Sequence, residues 1–154
     1  MFNETIRKLE SRDIVEVEKI FDLYWSGDFR HHLSERLKTG IQGLKWFVAA
    51  ENGEVVGVVA SREAPERMKQ YTKTDKVIEF YVVAAKYQGK GIGTALRNLQ
   101  VDEAKKEGYQ EAVFFSGVTH QDSWGFHDNS EFRRVGVAIA PDGEKGQIWL
   151  MDLK

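Results

Sequence analysis

Apolar residues recur along the chain with two different periods, and each period predicts one type of element. Ile14, Val17, Ile20 and Tyr24 are spaced as on one face of a helix, and Ser11 precedes them as a candidate cap. Shorter apolar or alternating runs bounded by turn residues predict strands. In order, the predicted elements are a strand at 5–10, helices at 14–24 and 29–39, strands at 44–51, 54–62 and 76–83, a helix at 91–107, a strand at 111–116, a short helical segment at 120–129, and strands at 132–140 and 147–153.

The connections between these elements limit the number of topologies that the chain can adopt. Asn52-Gly53 joins two predicted strands and is the strongest short hairpin signal, whereas the polar segment 63–75, which contains Pro65, predicts a loop. The strand, helix and strand over 77–116 predict parallel pairing through a right-handed crossover. We therefore expect a mixed α/β sheet that is otherwise antiparallel. We expect one domain over residues 1–154, since no repeat or linker interrupts the order.

Composition and charge exclude several classes of function. Of the 154 residues, 42% are hydrophobic and 30% charged, and the net charge of −2 gives no reason to expect nonspecific nucleic-acid binding. The absence of cysteine excludes disulfides, a thiol nucleophile and cysteine-based zinc sites. The first residues show no signal-peptide pattern, and no apolar run approaches the ~20 residues that span a bilayer. We therefore expect a cytoplasmic enzyme without a membrane or nucleic-acid partner.

The most informative segment is a glycine loop, residues 88–94, between a predicted strand and a predicted helix. Its sequence is Gln88-Gly89-Lys90-Gly91-Ile92-Gly93-Thr94. Glycines at every second position suit a tight turn, because glycine adopts positive φ at little cost and leaves the backbone N–H groups accessible. A turn that leads into a helix N-terminus favours anions, so the loop is predicted to bind a phosphate or pyrophosphate.

The spacing of the glycine loop resembles the Gln/Arg-x-x-Gly-x-Gly/Ala loop of the GNAT superfamily of N-acetyltransferases, which binds the pyrophosphate of acetyl-CoA. It differs from a Walker A loop, since Gly91 follows Lys90, and from the dinucleotide-binding pattern, since Thr94 stands where a glycine is required. The order of the predicted elements also matches the GNAT order over most of the chain. The resemblance implies a seven-stranded, mostly antiparallel mixed sheet that splays between its fourth and fifth strands and is flanked by about four helices.

The same resemblance implies acetyl-CoA as the cosubstrate and a reaction without a metal. It assigns the pyrophosphate to the glycine loop. It assigns the pantetheine arm to the backbone of the fourth strand at Tyr81, Val82 and Val83. Lys90 is the first candidate for a cationic contact to the phosphates. Lys86 and Arg97 are further candidates, with a solvated surface charge as the alternative for each.

A second segment, residues 120–132, resembles the family pattern Asn-x-x-Ala-x-x-Phe-Tyr-Glu-x-x-Gly-Phe, in which the Tyr can protonate the departing CoA thiolate. His127 stands at the Tyr position and is the candidate general acid, with a histidine bonded to a nearby backbone carbonyl as the alternative. The resemblance assigns His120, which stands at the Asn position, and Phe126 to cofactor contacts. For His120 the alternative is a surface residue without a role in binding. Glu131 replaces the glycine of the family pattern.

Glu79 is the candidate general base. The attacking amine must be neutral, and a carboxylate can take its proton directly or through water. Period-2 alternation places Glu79 on the strand face of Val77 and Tyr81, where family members often carry a catalytic Glu or Asp. The alternative is a salt-bridged Glu79 at a wet sheet face, because burial of an unpaired carboxylate is costly. The backbone N–H near Val83 is the candidate donor to the oxyanion.

The acceptor pocket is expected to form from the first helix pair and the loop at 63–75. Aromatic and acidic side chains there can bind a cationic amine, and ordinary helix packing and a wet surface are the alternative. The residues concerned are Trp25, Asp28, Phe29, His31, His32, Glu35 and Met68.

Together with the resemblance, these residues predict an acetyl-CoA-dependent N-acetyltransferase. Its acceptor is a primary amine of a small molecule or peptide, and transfer is by direct attack in a ternary complex. Two alternatives stay open. One is a noncatalytic acyl-CoA-binding sensor on the same fold, which the missing Tyr at position 127 supports, and the other is a nucleotide-phosphate binder unrelated to the family. Exposed strands of this fold often pair across subunits, so a homodimer is open as well.

Overall fold

The computed structural model describes residues 5–39, 43–128 and 131–153. Its helices and strands follow the predicted order, with bounds that differ from the predicted ones by a few residues. The predicted end of the short helical segment, Asn129, lies outside the described residues. None of the described helices is both long and apolar enough to cross a membrane. The elements are β1 Thr5–Lys8, α1 Ile14–Tyr24, α2 Gly27–Thr39, β2 Lys45–Glu51, β3 Glu54–Glu63, β4 Val77–Ala85, α3 Ile92–Lys106, β5 Glu111–Gly117, α4 Trp124–Asp128, β6 Arg133–Ile139 and β7 Lys145–Asp152.

The strands form one seven-stranded sheet in the order β1-β2-β3-β4-β5-β7-β6. β4 and β5 pair in parallel, and the neighbours β1 and β2, β2 and β3, β5 and β7, and β6 and β7 pair antiparallel. The parallel register runs from Val77 opposite Glu111 to Glu79 opposite Val113. Both strands continue past this stretch, β4 to Ala85 and β5 to Gly117. The predicted mixed, splayed sheet is therefore confirmed.

The described chain packs as two compact units. The first comprises the described residues of Met1–Arg62 and Val82–Gln100, and the second comprises those of Glu63–Tyr81 and Val101–Lys154. β4 and α3 therefore each supply residues to both units. It stays a prediction that the whole chain forms one domain.

In the first unit, the beginning of α3 packs closely on the sheet. Ile92 and Leu96 are buried in a cluster with Ala49, Val56 and Val59. Gly57 on β3 permits this approach, since a Cβ atom at that position would lie 2.7 Å from Leu96 Cδ1 and 2.8 Å from Ile92 Cγ2. Any larger residue would have to move one of these side chains, so Gly57 sets how closely α3 lies on β3.

The β2–β3 hairpin turns at the predicted position. Asn52 has φ 52° and Gly53 has φ 81°. Positive φ at both central residues is what a type I′ turn requires, and the twist of that turn matches the twist of the two strands. The Asn-Gly pair thus joins β2 and β3 as the sequence predicts.

The beginning of α1 differs from the prediction. Ser11 does not cap the helix, because Ser11–Asp13 forms a short 3₁₀ turn ahead of α1. The Asp13 carboxylate accepts a hydrogen bond from the Glu10 N–H at 2.8 Å. It also accepts two from the Arg7 guanidinium, at 2.7 and 2.9 Å. The Arg7 hydrogen bonds hold the pKa of Asp13 below its usual range, although burial acts in the opposite direction.

In the second unit, β4, β5 and β7 carry two core clusters. Alternate residues along each strand enter alternate clusters, so the clusters lie on opposite faces of the sheet. Phe114 and Trp149 stack in the first cluster, with ring centroids 5.1 Å apart. That cluster also contains Ile78, Phe80, Ala104, Ala112, Phe132, Met151 and Leu153. The second cluster contains Ala64, Met68, Val77, Val113, Ile148 and Leu150.

The segment predicted as a loop over 63–75 is a loop from residue 64 onward, since β3 ends at Glu63, and it contains one 3₁₀ turn at Glu66–Met68. The buried carboxylate of Glu111 accepts hydrogen bonds from the backbone N–H groups of Lys73 and Thr74, each at 2.8 Å. The ring of Tyr71 lies against Gly136, where a Cβ atom would be 2.2 Å from the Tyr71 ring. These contacts fix the loop at two points within the second unit.

Candidate active site

The glycine loop joins the end of β4 to the beginning of α3. Gly89 has φ 75° and Gly91 has φ 79°, in the left-handed region that favours glycine. Ile92 is buried and thereby fixes the first turn of α3. The Ala95 N–H donates to the Gly91 carbonyl at 3.0 Å. The N–H groups that precede Ala95 at the helix start have no partner within the helix, so the loop has the geometry of an anion site.

Three hydrogen bonds fix the point where the chain leaves β4. The Lys86 N–H donates to the Val56 carbonyl on β3 at 2.8 Å. The Tyr24 hydroxyl donates to the Ala85 carbonyl at 2.5 Å, and the Gln88 side-chain amide donates to the Tyr24 hydroxyl at 2.8 Å. The beginning of the glycine loop is therefore held by β3 on one side and by the end of α1 on the other.

Glu54 controls the charge beside the glycine loop. Its Oε2 accepts a hydrogen bond from Lys86 Nζ at 2.7 Å and another from the Tyr87 hydroxyl at 2.8 Å. The Lys86 hydrogen bond is the main reason that the pKa of Glu54 is lowered. Lys90 Nζ lies 4.9 Å from the centroid of the Tyr87 ring. Since Glu54 engages Lys86, Lys90 is the better placed of the two cations to meet a phosphate.

Arg97 is neither a solvated charge nor a surface contact. Its side chain is 5% exposed, and burial lowers its pKa to about 9. The sequence alternatives for Arg97 both required an accessible guanidinium, and burial makes both wrong for the described conformation. An arginine in the middle of an amphipathic helix gives no sequence sign of which face it occupies, and α3 turns this one inward.

Glu79 lies in the interior of the second unit. It is 4% exposed and stands opposite Val113 in the parallel register of β4 and β5. Alternation along β4 places its side chain on the face of Val77, as predicted. Burial argues against the alternative of a wet sheet face, and the role of Glu79 as general base stays a prediction.

His127 is also buried, at 6% exposed, and packs among aromatic rings. Its ring centroid lies 4.4 Å from that of Phe114 and 5.0 Å from that of Trp149. The next residue, Asp128, accepts hydrogen bonds from the Arg134 guanidinium at 2.9 and 2.7 Å and from Trp149 Nε1 at 3.0 Å. The Arg134 hydrogen bonds hold the pKa of Asp128 below its usual range. These contacts fix α4, and His127 with it, against β6 and β7.

The structure does not bring Glu79 and His127 to the same face of the sheet. Glu79 shares the face of Val77 and Val113, whereas His127 packs on Phe114, the next residue along β5. Neighbouring residues of a strand point to opposite faces. The two candidate catalytic groups therefore approach the sheet from opposite sides.

The acetyltransferase (GNAT) family model matches residues 14–132. The chain belongs to the acetyltransferase (GNAT) family. Membership supports acetyl transfer as the family activity, and it agrees with the order of the sheet and the position of the glycine loop.

Individual proteins show the same likeness. The mouse protein N-acetyltransferase 8 is 26% identical over 113 residues, which cover 73% of this chain and 47% of that protein, so the chain spans about half the length of this curated relative. A GNAT-family structure from Desulfovibrio desulfuricans shares the fold with a TM-score of 0.83 at 15% identity, over 99% of this chain and 100% of that one. An N-acetyltransferase from Thermoplasma acidophilum in complex with coenzyme A has a TM-score of 0.68 at 14% identity, over 98% and 99% of the two chains.

The remaining residues assigned from the GNAT resemblance have different settings. Tyr81 and Val83 are half-buried on β4, and Val82 is buried. His120 lies in the 3₁₀ segment Val118–Ser123 with φ −116° and ψ 28°, outside regular helical geometry. Phe126 on α4 is 38% exposed. In the glycine loop Gln88, Gly89, Lys90, Gly91 and Thr94 are exposed, and Gly93 is half-buried.

The residues assigned to the acceptor pocket of this GNAT chain divide by burial. His31, His32 and Glu35 are exposed on α2. Trp25 and Phe29 lie in one aromatic row, with ring centroids 5.9 Å apart. Met68 is a core residue of the second cluster in its unit and does not face solvent, because the 3₁₀ turn directs it inward. Among the described residues, no three His, Asp or Glu side chains are placed to hold a metal ion.

The sequence gives no sign of several residues that shape this GNAT site. Tyr24 contacts Ala85 and Glu54 contacts Lys86, just ahead of the glycine loop, from 61 and 32 residues away along the chain. Asp128 and Arg134 fix the helix that carries His127. Tyr24 has the spacing of a helix residue and Glu54 that of a strand residue beside a turn, so neither stands out until the fold brings it to the loop.

Proposed function

We propose that this chain is an acetyl-CoA-dependent N-acetyltransferase. It moves the acetyl group to a primary amine of a small molecule or peptide by direct attack in a ternary complex. One observation carries the proposal: in a chain of the GNAT family, the β4–α3 connection has two glycines at positive φ ahead of a buried helix start. Such a connection binds the phosphates of a cosubstrate through backbone N–H groups.

The chain offers groups for each part of acetyl-CoA. The backbone N–H groups of the glycine loop and the beginning of α3 are proposed to hold the pyrophosphate, with Lys90 as the cation that the loop itself supplies. The backbone of β4 at Tyr81, Val82 and Val83 is proposed to pair with the pantetheine arm. His120 and Phe126 are proposed as further contacts to the cofactor. Backbone groups suit these roles, because each of these residues carries an N–H donor and a C=O acceptor whatever its side chain.

The reaction needs one base and one acid. Glu79 is proposed to take a proton from the ammonium form of the acceptor, so that the amine nitrogen can attack the thioester carbonyl and form the new C–N bond. The N–H near Val83 is proposed to stabilise the oxyanion. As the C–S bond breaks, His127 is proposed to give its proton to the CoA thiolate.

Direct attack is proposed because the chain offers no thiol for an acetyl-enzyme intermediate. In a ternary-complex mechanism, double-reciprocal plots at several fixed amine concentrations intersect. Parallel plots would indicate a ping-pong route and would contradict this part of the proposal.

The decisive experiment is release of free CoA thiol from acetyl-CoA across a panel of amines. The panel contains amino acids, polyamines, aminoglycosides and peptides with free N-termini. A thiol reagent reports CoA directly, because the protein has no cysteine to react with it. We expect amine-dependent release by the wild type, and a kcat lowered by about 100-fold to 10,000-fold in Glu79→Gln and in His127→Ala. Full activity of both variants would remove these residues from the mechanism and leave the acetyltransferase assignment intact.

A noncatalytic acyl-CoA sensor is the second candidate. The observation that favours it is a buried histidine at the position where the family often has a tyrosine. This candidate predicts that the wild type binds CoA and releases no thiol with any amine of the panel. Amine-dependent turnover excludes it.

A further inference from the structure

The hydroxyl of Tyr24 makes two hydrogen bonds that close a small ring at the beginning of the glycine loop. It donates to the carbonyl of Ala85, the last residue of β4, at 2.5 Å. It accepts from the side-chain amide of Gln88, the first residue of the glycine loop, at 2.8 Å. One hydroxyl therefore holds both ends of the segment through which the chain leaves the sheet.

We infer that Tyr24 is a positioning residue for acetyl-CoA binding, because its hydroxyl fixes where the glycine loop leaves β4. The inference rests on the proposed function, in which the backbone N–H groups of the glycine loop hold the pyrophosphate. Tyr24 acts through Ala85 and Gln88, and both of its described hydrogen bonds go to protein atoms.

The end of α1 holds the Tyr24 ring in place. Tyr24 is the last residue of α1, and the Trp25 N–H that follows it closes the helix on the Phe21 carbonyl at 2.9 Å. The Trp25 ring lies 5.7 Å from the Tyr24 ring and 5.9 Å from the Phe21 ring. Burial raises the pKa of Tyr24, so the hydroxyl keeps its proton and remains a donor to Ala85 throughout the physiological pH range. The two hydrogen bonds of the Tyr24 hydroxyl therefore do not switch with pH in this range.

A fixed starting point lowers the cost of binding. A loop that must become ordered around a pyrophosphate loses conformational entropy, and a loop already ordered in the free protein loses less. The glycines at positions 89 and 91 make the loop easy to form and also easy to disorder. Loss of the Tyr24 hydroxyl would leave the Ala85 carbonyl and the Gln88 amide without this partner, and it would allow the loop N–H groups to depart from the binding arrangement.

The test compares wild type and Tyr24→Phe, with CoA itself as the ligand in isothermal titration calorimetry. We expect the Kd for CoA to rise about fivefold, the effect of one lost hydrogen bond. The KM for acetyl-CoA should rise by a similar factor, with kcat at saturating acetyl-CoA within about twofold of wild type. Tyr109→Phe removes a hydroxyl from a different part of the chain and should leave the Kd for CoA unchanged.

Each outcome decides the inference. A raised Kd and KM with an unchanged kcat and an unchanged thermal midpoint support a positioning role. An unchanged Kd in Tyr24→Phe overturns it while the proposed function stands. A raised Kd that comes with an equal loss of kcat and a lower thermal midpoint also overturns it, in favour of a general packing role. If wild type itself does not bind CoA, the proposed function fails, and the inference fails with it.

Discussion

Gly91 allows the loop backbone and the loop charge to be tested separately. Its φ is 79°, and among the described residues nothing lies within 4 Å of where its Cβ would be. Gly91→Ala should therefore cost only backbone strain, about 1 kcal/mol of folding free energy, and should weaken CoA binding moderately. Gly91→Glu adds a negative charge beside the pyrophosphate and should abolish measurable binding. Calorimetry with CoA, beside circular dichroism to confirm folding, measures both effects.

The two variants serve as controls for each other. If Gly91→Glu is folded and binds CoA as tightly as wild type does, the phosphates lie elsewhere and the site is misplaced. If Gly91→Ala alone abolishes binding, backbone conformation and not charge governs the loop.

Asp13 predicts a pH dependence of stability. Its pKa in the folded protein lies below the usual 3.8, so its contribution is complete above pH 3.8 and is lost as the pH falls further. At pH 7, Asp13→Asn should lower the free energy of unfolding by about 2 kcal/mol, because the buried carboxylate holds Arg7 and the Glu10 N–H. Urea unfolding measured between pH 7 and pH 3 should show the difference from wild type shrinking below pH 3.8.

Glu16→Gln is the matched control for Asp13. Glu16 pairs with Lys19 at 3.2 Å, and both side chains are well exposed, so the change should stay within about 0.5 kcal/mol at any pH. An Asp13→Asn variant as stable as Glu16→Gln would show that the Arg7 contact adds nothing to the fold.

Single residues of the site differ in how far the sequence predicts them. The glycine loop is predicted because its spacing carries local meaning, and the face of Glu79 follows from strand alternation. The roles of Tyr24 and Glu54 depend on partners 61 and 32 residues away, which no local pattern encodes. The burial of Arg97 likewise does not follow from local sequence, because a charged residue in a helix is ordinarily expected on the solvent-exposed face.

At the scale of elements, the contact between β3 and α3 predicts that a side chain at position 57 acts on cofactor binding. A Cβ there meets Leu96 and Ile92 at less than 3 Å, so Gly57→Val must push the beginning of α3 outward. We expect a loss of about 1–3 kcal/mol in unfolding free energy and a weaker affinity for CoA, with Gly57→Ala between wild type and Gly57→Val. Urea unfolding and calorimetry on the series measure both. A Gly57→Val variant with wild-type stability and affinity would contradict the close approach.

The elements themselves follow largely from periodicity and turn chemistry. Asn52-Gly53 predicts a hairpin because a type I′ turn requires positive φ at both central residues, and Asn and Gly adopt it most readily. The cap of α1 is mispredicted because Asp13 is drawn to Arg7 on β1, a pairing across elements that outweighs the local preference of Ser11. Met68 is assigned to the wrong environment because a 3₁₀ turn inside a polar loop buries one residue that polarity alone would expose.

For the molecule as a whole, direct transfer predicts that no covalent intermediate accumulates. Protein mixed with acetyl-CoA and no amine should keep its unmodified mass when it is quenched within one turnover time. Treatment with a maleimide should leave the transfer rate unchanged, since the chain has no cysteine. An acetyl group on a residue of the protein, formed as fast as turnover, would replace direct attack by a two-step route.

The succession of helices and strands along the chain is the whole-molecule property that the sequence predicts best, whereas the place of β7 between β5 and β6 in the sheet is not predicted. A strand, a helix and a strand predict a right-handed parallel crossover, and Asn52-Gly53 predicts the antiparallel hairpin of β2 and β3. The division of β4 and α3 between two compact units could not be predicted. It depends on which side chains pack together, and hydrophobic periodicity gives only the face that each element buries.

Gly89 has a consequence for the handedness of the amino acid at its position. Its φ of 75° is disfavoured for every L-residue, yet the described residues leave open space where its Cβ would be. An L-residue at position 89 is therefore disfavoured by its configuration and not by the size of its side chain. A D-alanine has its preferred backbone region at positive φ, so a chain assembled by chemical ligation with D-alanine at position 89 should fold with a stiffer loop than the natural one. At this point of the molecule, a mirror-image residue fits better than any genetically encoded substitute for glycine.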